Sequence, residues 1–201
     1  AMKSLTVTGA SNLTIGSALN FADDASGVAG AIDGTLDASA FTGKLSVTSA
    51  ADEVSITGGS NDDTIAMVAT LNASDIIDGG DGSDTLSMDA ATITTQFTQV
   101  SDIENVTINN STAVIDIDAS KLSAGVEVLT VDLTDGTDAG GVKLASAVTG
   151  ADGLTIAISK TVEDAADAND SDGTKLTITD TTDTGSNAVN IQLNNIGVDD
   201  Q

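Results

Sequence analysis

Two glycine-rich turns hold the residues best suited to chemistry in this chain. Gly79-Gly80-Asp81-Gly82-Ser83-Asp84-Thr85-Leu86-Ser87 fits the nonapeptide pattern Gly-Gly-x-Gly-x-Asp-x-(aliphatic)-x at every fixed position. A second copy stands upstream as Gly58-Gly59-Ser60-Asn61-Asp62-Asp63-Thr64-Ile65-Ala66. Asn61 replaces its third glycine, and Asn is the next most tolerant residue of left-handed backbone. The glycines let the main chain curl so that carbonyl oxygens point inward, the Asp adds a charged oxygen, and the aliphatic residue turns into a core. Such oxygens suit a hard cation. Calcium takes six to eight of them at about 2.3–2.6 Å, more than one turn supplies, so two turns must stack. The copies begin 21 residues apart, roughly two nonapeptides per coil plus a short insertion, which places both turns on one edge of a solenoid.

The remaining acids are weighed against this pair. Asp75 and Asp78 precede the second turn, either as added ligands or as a solvated strand edge. Asp132, Asp135 and Asp138 surround Gly136 and form a candidate for a second, weaker ion. The run Asp167-Ala168-Asn169-Asp170-Ser171-Asp172-Gly173 is out of register for an EF-hand: its glycine falls one position late and no Glu closes the loop. It reads as a solvated acidic loop, as does 163–172 as a whole, and Asp62 is expected to face water.

Composition narrows the function. The chain has 201 residues, 31 carboxylates and six lysines, with no Arg, His, Cys, Trp, Tyr or Pro, and a formal charge of −25. That charge repels phosphate backbones and anionic lipid, so neither nucleic acid nor membrane insertion is expected. Without His or Cys there is no imidazole base, thiolate, disulfide or ordinary zinc site. No run approaches the length of a membrane helix, and no charged-then-apolar signal peptide opens the sequence. Of the acids only Glu53, Glu104, Glu127 and Glu163 are Glu; the rest are Asp, the turn-favouring carboxylate.

The elements that must position the turns are short. Alternating runs recur at 5–8, 45–48, 54–57, 85–88, 106–108, 129–131, 154–158, 176–179 and 189–193, with Thr, Ser or Asn between aliphatics. This is strand periodicity. Val47, Ile56 and Ile65 follow one another at nine-residue steps, and Ile76 and Leu86 are ten apart. The expected fold is all-β: a right-handed parallel β-helix or β-roll solenoid, whose stacked rungs fill a core with small aliphatics. A β-sandwich is the alternative. The stretch Leu36-Asp37-Ala38-Ser39 is echoed by Ile117-Asp118-Ala119-Ser120, each before a valine-bearing strand, as two units of a repeat would be. Helical turns are expected at 94–100 and 144–148. The chain is expected to be one solenoid module, 1–201, cut from a larger protein, with a weak boundary near 136–150.

The segment 33–109 resembles the RTX-type surface-layer (S-layer) proteins of Gram-negative bacteria. The resemblance is carried by Leu36-Asp37-Ala38-Ser39, Leu45-Ser46-Val47-Thr48 and Val54-Ser55-Ile56-Thr57-Gly58-Gly59. It continues through Ser74-Asp75-Ile76-Ile77-Asp78-Gly79-Gly80 to Ile103-Glu104-Asn105-Val106. It implies a secreted, cell-surface structural protein, exported by a type I system and folding when it meets calcium. It also implies self-association with neighbouring S-layer subunits, and contact with surface polysaccharide through other domains. Carried over from the resemblance, the Ca2+ ligands are Gly59, Asn61, Asp63, Gly79, Asp81 and Asp84. No third nonapeptide follows, since Val100-Ser101-Asp102 stands at the next coil, so one well-formed site is expected.

Three other readings compete. A stalk or spacer of a large RTX adhesin would share the calcium chemistry. Paired carboxylates permit glycoside chemistry, but aromatic platforms and Arg or His to hold a sugar are wanting, so no enzyme and no catalytic residue is expected. Thr6-Val7-Thr8, Thr92-Ile93-Thr94 and Thr177-Ile178-Thr179 suggest the flat arrays of ice-binding solenoids, but their irregular spacing fits ordinary strand surface.

Overall fold

The computed structural model describes residues 2–21, 30–50, 53–68, 71–88, 92–93, 96–109, 114–117, 125–133, 141–144, 155–160, 175–178 and 190–194. Among the described residues every strand pair joins different coils and runs parallel. The fold is a parallel β-solenoid, not a sandwich or barrel. Parallel neighbours cannot be joined by hairpins, and here the chain returns to each sheet only after passing through another wall.

The longest wall is an eight-stranded sheet. It stacks β2 (Leu13–Thr14), β4 (Leu45–Ser49), β6 (Thr64–Met67), β8 (Thr85–Met88), β11 (Asn105–Ile108), β13 (Val128–Leu133), β15 (Thr155–Lys160) and β17 (Asn190–Asn194) in sequence order. Opposite its first half stands a five-stranded sheet of β1 (Ser4–Thr6), β3 (Gly34–Asp37), β5 (Val54–Thr57), β7 (Ile76–Asp78) and β10 (Val100–Ser101). From β9 (Thr92–Ile93) onward a four-stranded sheet begins, continuing with β12 (Val114–Ile117), β14 (Gly141–Leu144) and β16 (Lys175–Ile178). The long sheet is therefore a common spine.

Register gives the coil length directly. Ser46 pairs with Thr64, Thr64 with Thr85 and Thr85 with Asn105, steps of 18, 21 and 20 residues. Farther on the steps widen to 23, 27 and 35 residues, from Asn105 through Val128 and Thr155 to Asn190. Strand register does not change, so the added residues lie in the connections.

Period-two alternation explains the core. In the spine Val47, Ile65, Leu86, Val106, Leu129 and Ile156 occupy one register column, and all are buried. Met67, Met88, Ile108 and Val131 form a second buried column, headed by Ser49. Leu36, Ile56, Ile77 and Val100 face them from the five-stranded sheet. Between the two spine columns, Thr48, Ala66, Ser87, Thr107 and Thr130 point outward. Two phenylalanines complete the packing. Phe41 is buried in the turn before β4, and the Phe21 ring fills the space that a side chain at Gly34 would need.

The echoed segments occupy matching places. Leu36 lies in β3 and Ile117 in β12, each the strand before a spine strand, though in different walls. A 3-10 turn at Gln96–Gln99 falls within the helical turn expected at 94–100. The other expected turn is corrected in part: Leu144 ends β14, because it continues the parallel register of Ile117, while 145–148 lies outside the described residues. Most of the stretch 136–150 lies outside them too; β14, within it, is paired on both sides.

Core rungs and outward rungs are predicted to differ sharply in cost. Leu86→Ala removes a fully buried side chain from the centre of a column, with an expected loss of about 2–5 kcal/mol. Thr107→Ala, on the outer face, is expected to cost no more than about 0.5 kcal/mol. Urea unfolding of both variants checks the assignment of faces.

Candidate metal centre

The two glycine-rich turns join β5 to β6 and β7 to β8, so they lie on one edge, where the chain passes from the five-stranded sheet to the spine. Extending the register from Thr64–Thr85 brings Asp63 level with Asp84. The same column begins at Leu45 and runs on to Glu104 and Glu127. Four carboxylates on consecutive coils thus share one line, about 4.8 Å apart by strand spacing.

These carboxylates do structural work that the sequence did not reveal. Three of them, Asp63, Asp84 and Glu104, reach back one coil and accept the main-chain N–H of the residue at their own register position. Leu45 N donates to Asp63 Oδ1 at 2.7 Å, Asp63 N to Asp84 Oδ1 at 2.6 Å, and Asp84 N to Glu104 Oε2 at 2.7 Å. A buried N–H without an acceptor costs about 1–3 kcal/mol, so the ladder satisfies groups that strand pairing leaves open. Glu104 was not singled out from sequence because no glycine turn precedes it. Its signal is position: 20 residues after Asp84 and immediately before the strand Asn105–Ile108.

An outer ladder runs beside the inner one. Lys44 N donates to Asn12 Oδ1, the Lys44 ammonium pairs with Asp62 Oδ2 at 2.7 Å, and Ser83 N donates to Asp62 Oδ1. Asp62 is half exposed and holds its carboxyl below the ordinary range, first through the Lys44 hydrogen bond. Exposed to solvent and screened by salt, a pair of this kind adds little to stability.

The two turns differ in backbone. Gly80 and Gly82 have positive φ, at 92° and 138°. Among the described residues Asp102 is the one non-glycine with positive φ, so Asn61 is not left-handed where tolerance for that conformation was expected. Its side-chain amide instead donates to the Thr42 carbonyl at 2.7 Å. The difference changes which N–H groups meet the carboxylates. In the first turn Gly59 N donates to Asp63 Oδ2 at 2.6 Å. In the second, Gly80 N turns to Asp78 Oδ1 at 3.1 Å. Asp84 Oδ2 is left buried with no hydrogen-bond partner.

The six residues suggested as ligands are thus gathered on one edge, in different states. Both oxygens of Asp63 are taken by main-chain N–H groups. The Gly59 carbonyl accepts Asp81 N at 3.0 Å, and Gly79 N donates to Ser101 O at 3.1 Å. Asp81 is exposed, whereas Asp84 is buried and offers one open oxygen. Among the described residues no three carboxylates converge on one point, so a cation here must draw on main-chain carbonyls. Asp84 Oδ2 fits that need; Asp63 fits only by giving up an N–H. Asp75 lies at the entry of β7, on the opposite edge, and accepts Val54 N at 3.0 Å and Asn72 N at 2.7 Å. The acids at 135–138 and 167–172 lie outside the described residues.

No family model, curated protein or solved structure matches this chain. The site is therefore argued from its own geometry.

Burial of Asp84 pushes its carboxyl up to about 7, against the hydrogen bond from Asp63 N and with the help of the nearby Asp63, Glu104 and Asp62 charges. The folded protein holds this proton more tightly than the unfolded chain, whose Asp titrates near 3.8. Stability from this group is fully present below 3.8, falls as pH rises towards about 7, and is level above that. In chelator, Asp84→Asn is predicted to flatten the decline of melting temperature between about pH 4 and 8, and to melt above wild type at the alkaline end. An unchanged slope would contradict the assignment. Glu104→Ala, which strips the acceptor from Asp84 N, is expected to cost about 1–3 kcal/mol, and Glu104→Gln much less. Denaturant titration distinguishes them.

Proposed function

We propose that this chain is a structural module of a secreted, calcium-stabilised bacterial surface protein of the surface-layer type. The solenoid is a scaffold, and the role proposed for it is mechanical rather than catalytic. The observation that carries the calcium reading is the in-register column Asp63, Asp84, Glu104 and Glu127. Two like charges one strand spacing apart repel by about 3 kcal/mol at an effective dielectric near 20. Only six lysines stand against 31 acids in the whole chain, so the column needs cations from solution. An ion that binds only the folded form adds about 2.7 kcal/mol at 100 times its dissociation constant. Calcium suits the turn oxygens because it accepts carbonyls and carboxylates in an adaptable shell, where magnesium demands near-octahedral geometry and sheds water reluctantly.

Secretion, lattice assembly and contact with neighbouring subunits belong to the same proposal. They are supported by the resemblance of 33–109 to RTX-type surface-layer rungs and by the solenoid scaffold that the coils build. Millimolar extracellular calcium would then act as the signal that the chain has left the cell and is free to stack its coils.

Far-UV circular dichroism and thermal melting of chelated protein, titrated with calcium and separately with magnesium, test the reading. Calcium is expected to raise the β signal or the melting temperature where magnesium does not. A chelated protein whose fold and melting are indifferent to calcium would sink it. Electron microscopy of the parent protein with calcium then separates sheets, expected of a lattice, from isolated rods, expected of an adhesin spacer.

A further inference from the structure

The outward face of the spine differs in charge from the rest of the solenoid. Against 31 carboxylates in the whole chain, the described spine strands hold one acid, Asp132, and one lysine, Lys160, near the ends of β13 and β15. The five-stranded wall carries Asp37 and Asp78 within its strands, and the four-stranded wall carries Asp116. On the spine one outward column runs Ser46, Thr64, Thr85, Asn105 and Val128, and the uncharged column from Thr48 to Thr130 lies beside it. Val68 continues β6 beyond Met67, its N–H donated to the Ser49 carbonyl at 2.9 Å. Its side chain is 55% exposed, more than any other large hydrophobic residue among those described. The face is thus a flat field of hydroxyls and small side chains, with Val128 within it and Val68 at its margin.

We propose that this face docks against the same face of a second copy of the chain, sheet on sheet about a two-fold axis. The proposal rests on the reading that the chain associates with its own kind, and it names the surface that does so. Copies carrying −25 each repel one another, and a two-fold contact uses the same patch on both. An acidic wall would bring carboxylates together; the spine face does not. Hydroxyls suit a self-complementary surface, because each can donate and accept, so a field of Thr and Ser can hydrogen-bond to its own copy. Small side chains such as Ala66 and Ser87 let two sheets approach to about 10 Å. From β2 to β15 seven strands span about 29 Å, and at about 15 Å wide the face offers roughly 430 Å2 per copy. A standard stable interface uses about 800 Å2 per partner, so this contact is a weak one that gains strength by repetition in an array.

Sedimentation equilibrium of the full chain in calcium, up to about 1 mM protein, tests the contact, together with amide shifts followed on dilution. Reversible association is expected, tightened at least about threefold when salt rises from about 0.05 to about 0.5 M, because salt screens the repulsion between copies. Thr107→Asp, in the middle of the face, should weaken association at least about tenfold while melting near wild type. Ser55→Asp, which adds the same charge to the five-stranded wall, should change it less than about threefold. In the unsubstituted protein the amides of 46–48, 64–68, 85–87 and 105–107 should shift most on dilution, a readout that survives if a variant fails to fold. Shifts centred on the acidic turns, or Ser55→Asp as damaging as Thr107→Asp, would overturn this face and leave self-association standing. A chain that stays monomeric at every salt concentration would overturn the contact, while the calcium reading keeps its own test in the melting titration. Thermal hysteresis by such a monomer would assign the hydroxyl columns to ice instead.

Discussion

At three successive entries to the spine a main-chain N–H is met by a carboxylate rather than by a strand partner, and this constraint organises the acidic edge. Parallel pairing satisfies the groups inside each strand, but at the entries of β4, β6 and β8 the N–H of Leu45, Asp63 and Asp84 takes its acceptor from a side chain. Asp63, Asp84 and Glu104 supply it by reaching back to the preceding coil. Asp75 does the same for Val54 on the opposite edge. At Asp63 and Asp84 a short carboxylate held by the turn meets the requirement without a long side chain to order, and Glu104 meets it with one more methylene.

The solution to one problem creates another. Repeating an acceptor at each coil lines up like charges at strand spacing, and burial strengthens their repulsion. The edge answers in three ways. Asp63 is wrapped by two N–H groups, Asp62 is paired with Lys44, and Asp84 keeps an open oxygen and a carboxyl raised to about 7. Asp84 is the point where hydrogen bonding alone does not close the account. The asymmetry arises from two left-handed glycines in its turn, where the earlier turn has none.

Most of the architecture was legible in residue order. The runs at 54–57 and 85–88 coincide with β5 and β8, because alternation of aliphatics with Thr and Ser has no other stable use at that length. Stacking of the two turns followed from their separation of 21 residues, which equals the register step from Thr64 to Thr85. Other features were not legible. The strand Gly141–Leu144 is too short, and Lys143 too polar, to stand out, and its pairing with β12 and β16 reveals it. Glu104 lacks a motif, and its role depends on a coil length fixed by other residues. The direction in which Asp63 and Asp84 point was also hidden. Spacing placed them on one edge, but whether a carboxylate faces an ion or an N–H is decided by the local peptide planes.

The inner ladder also gives the solenoid a grain, in the way overlapping roof tiles have one. Asp63, Asp84 and Glu104 each cover a donor on the coil before, so three successive coils are finished by their successors. Removing coils from the amino-terminal side takes away donors and leaves carboxylates that water can serve. Removing them from the carboxy-terminal side bares N–H groups that the turn cannot satisfy by itself. The two ends of the stack are therefore chemically unlike, and growth or fraying of the edge has a preferred direction that symmetric strand pairing alone would not impose.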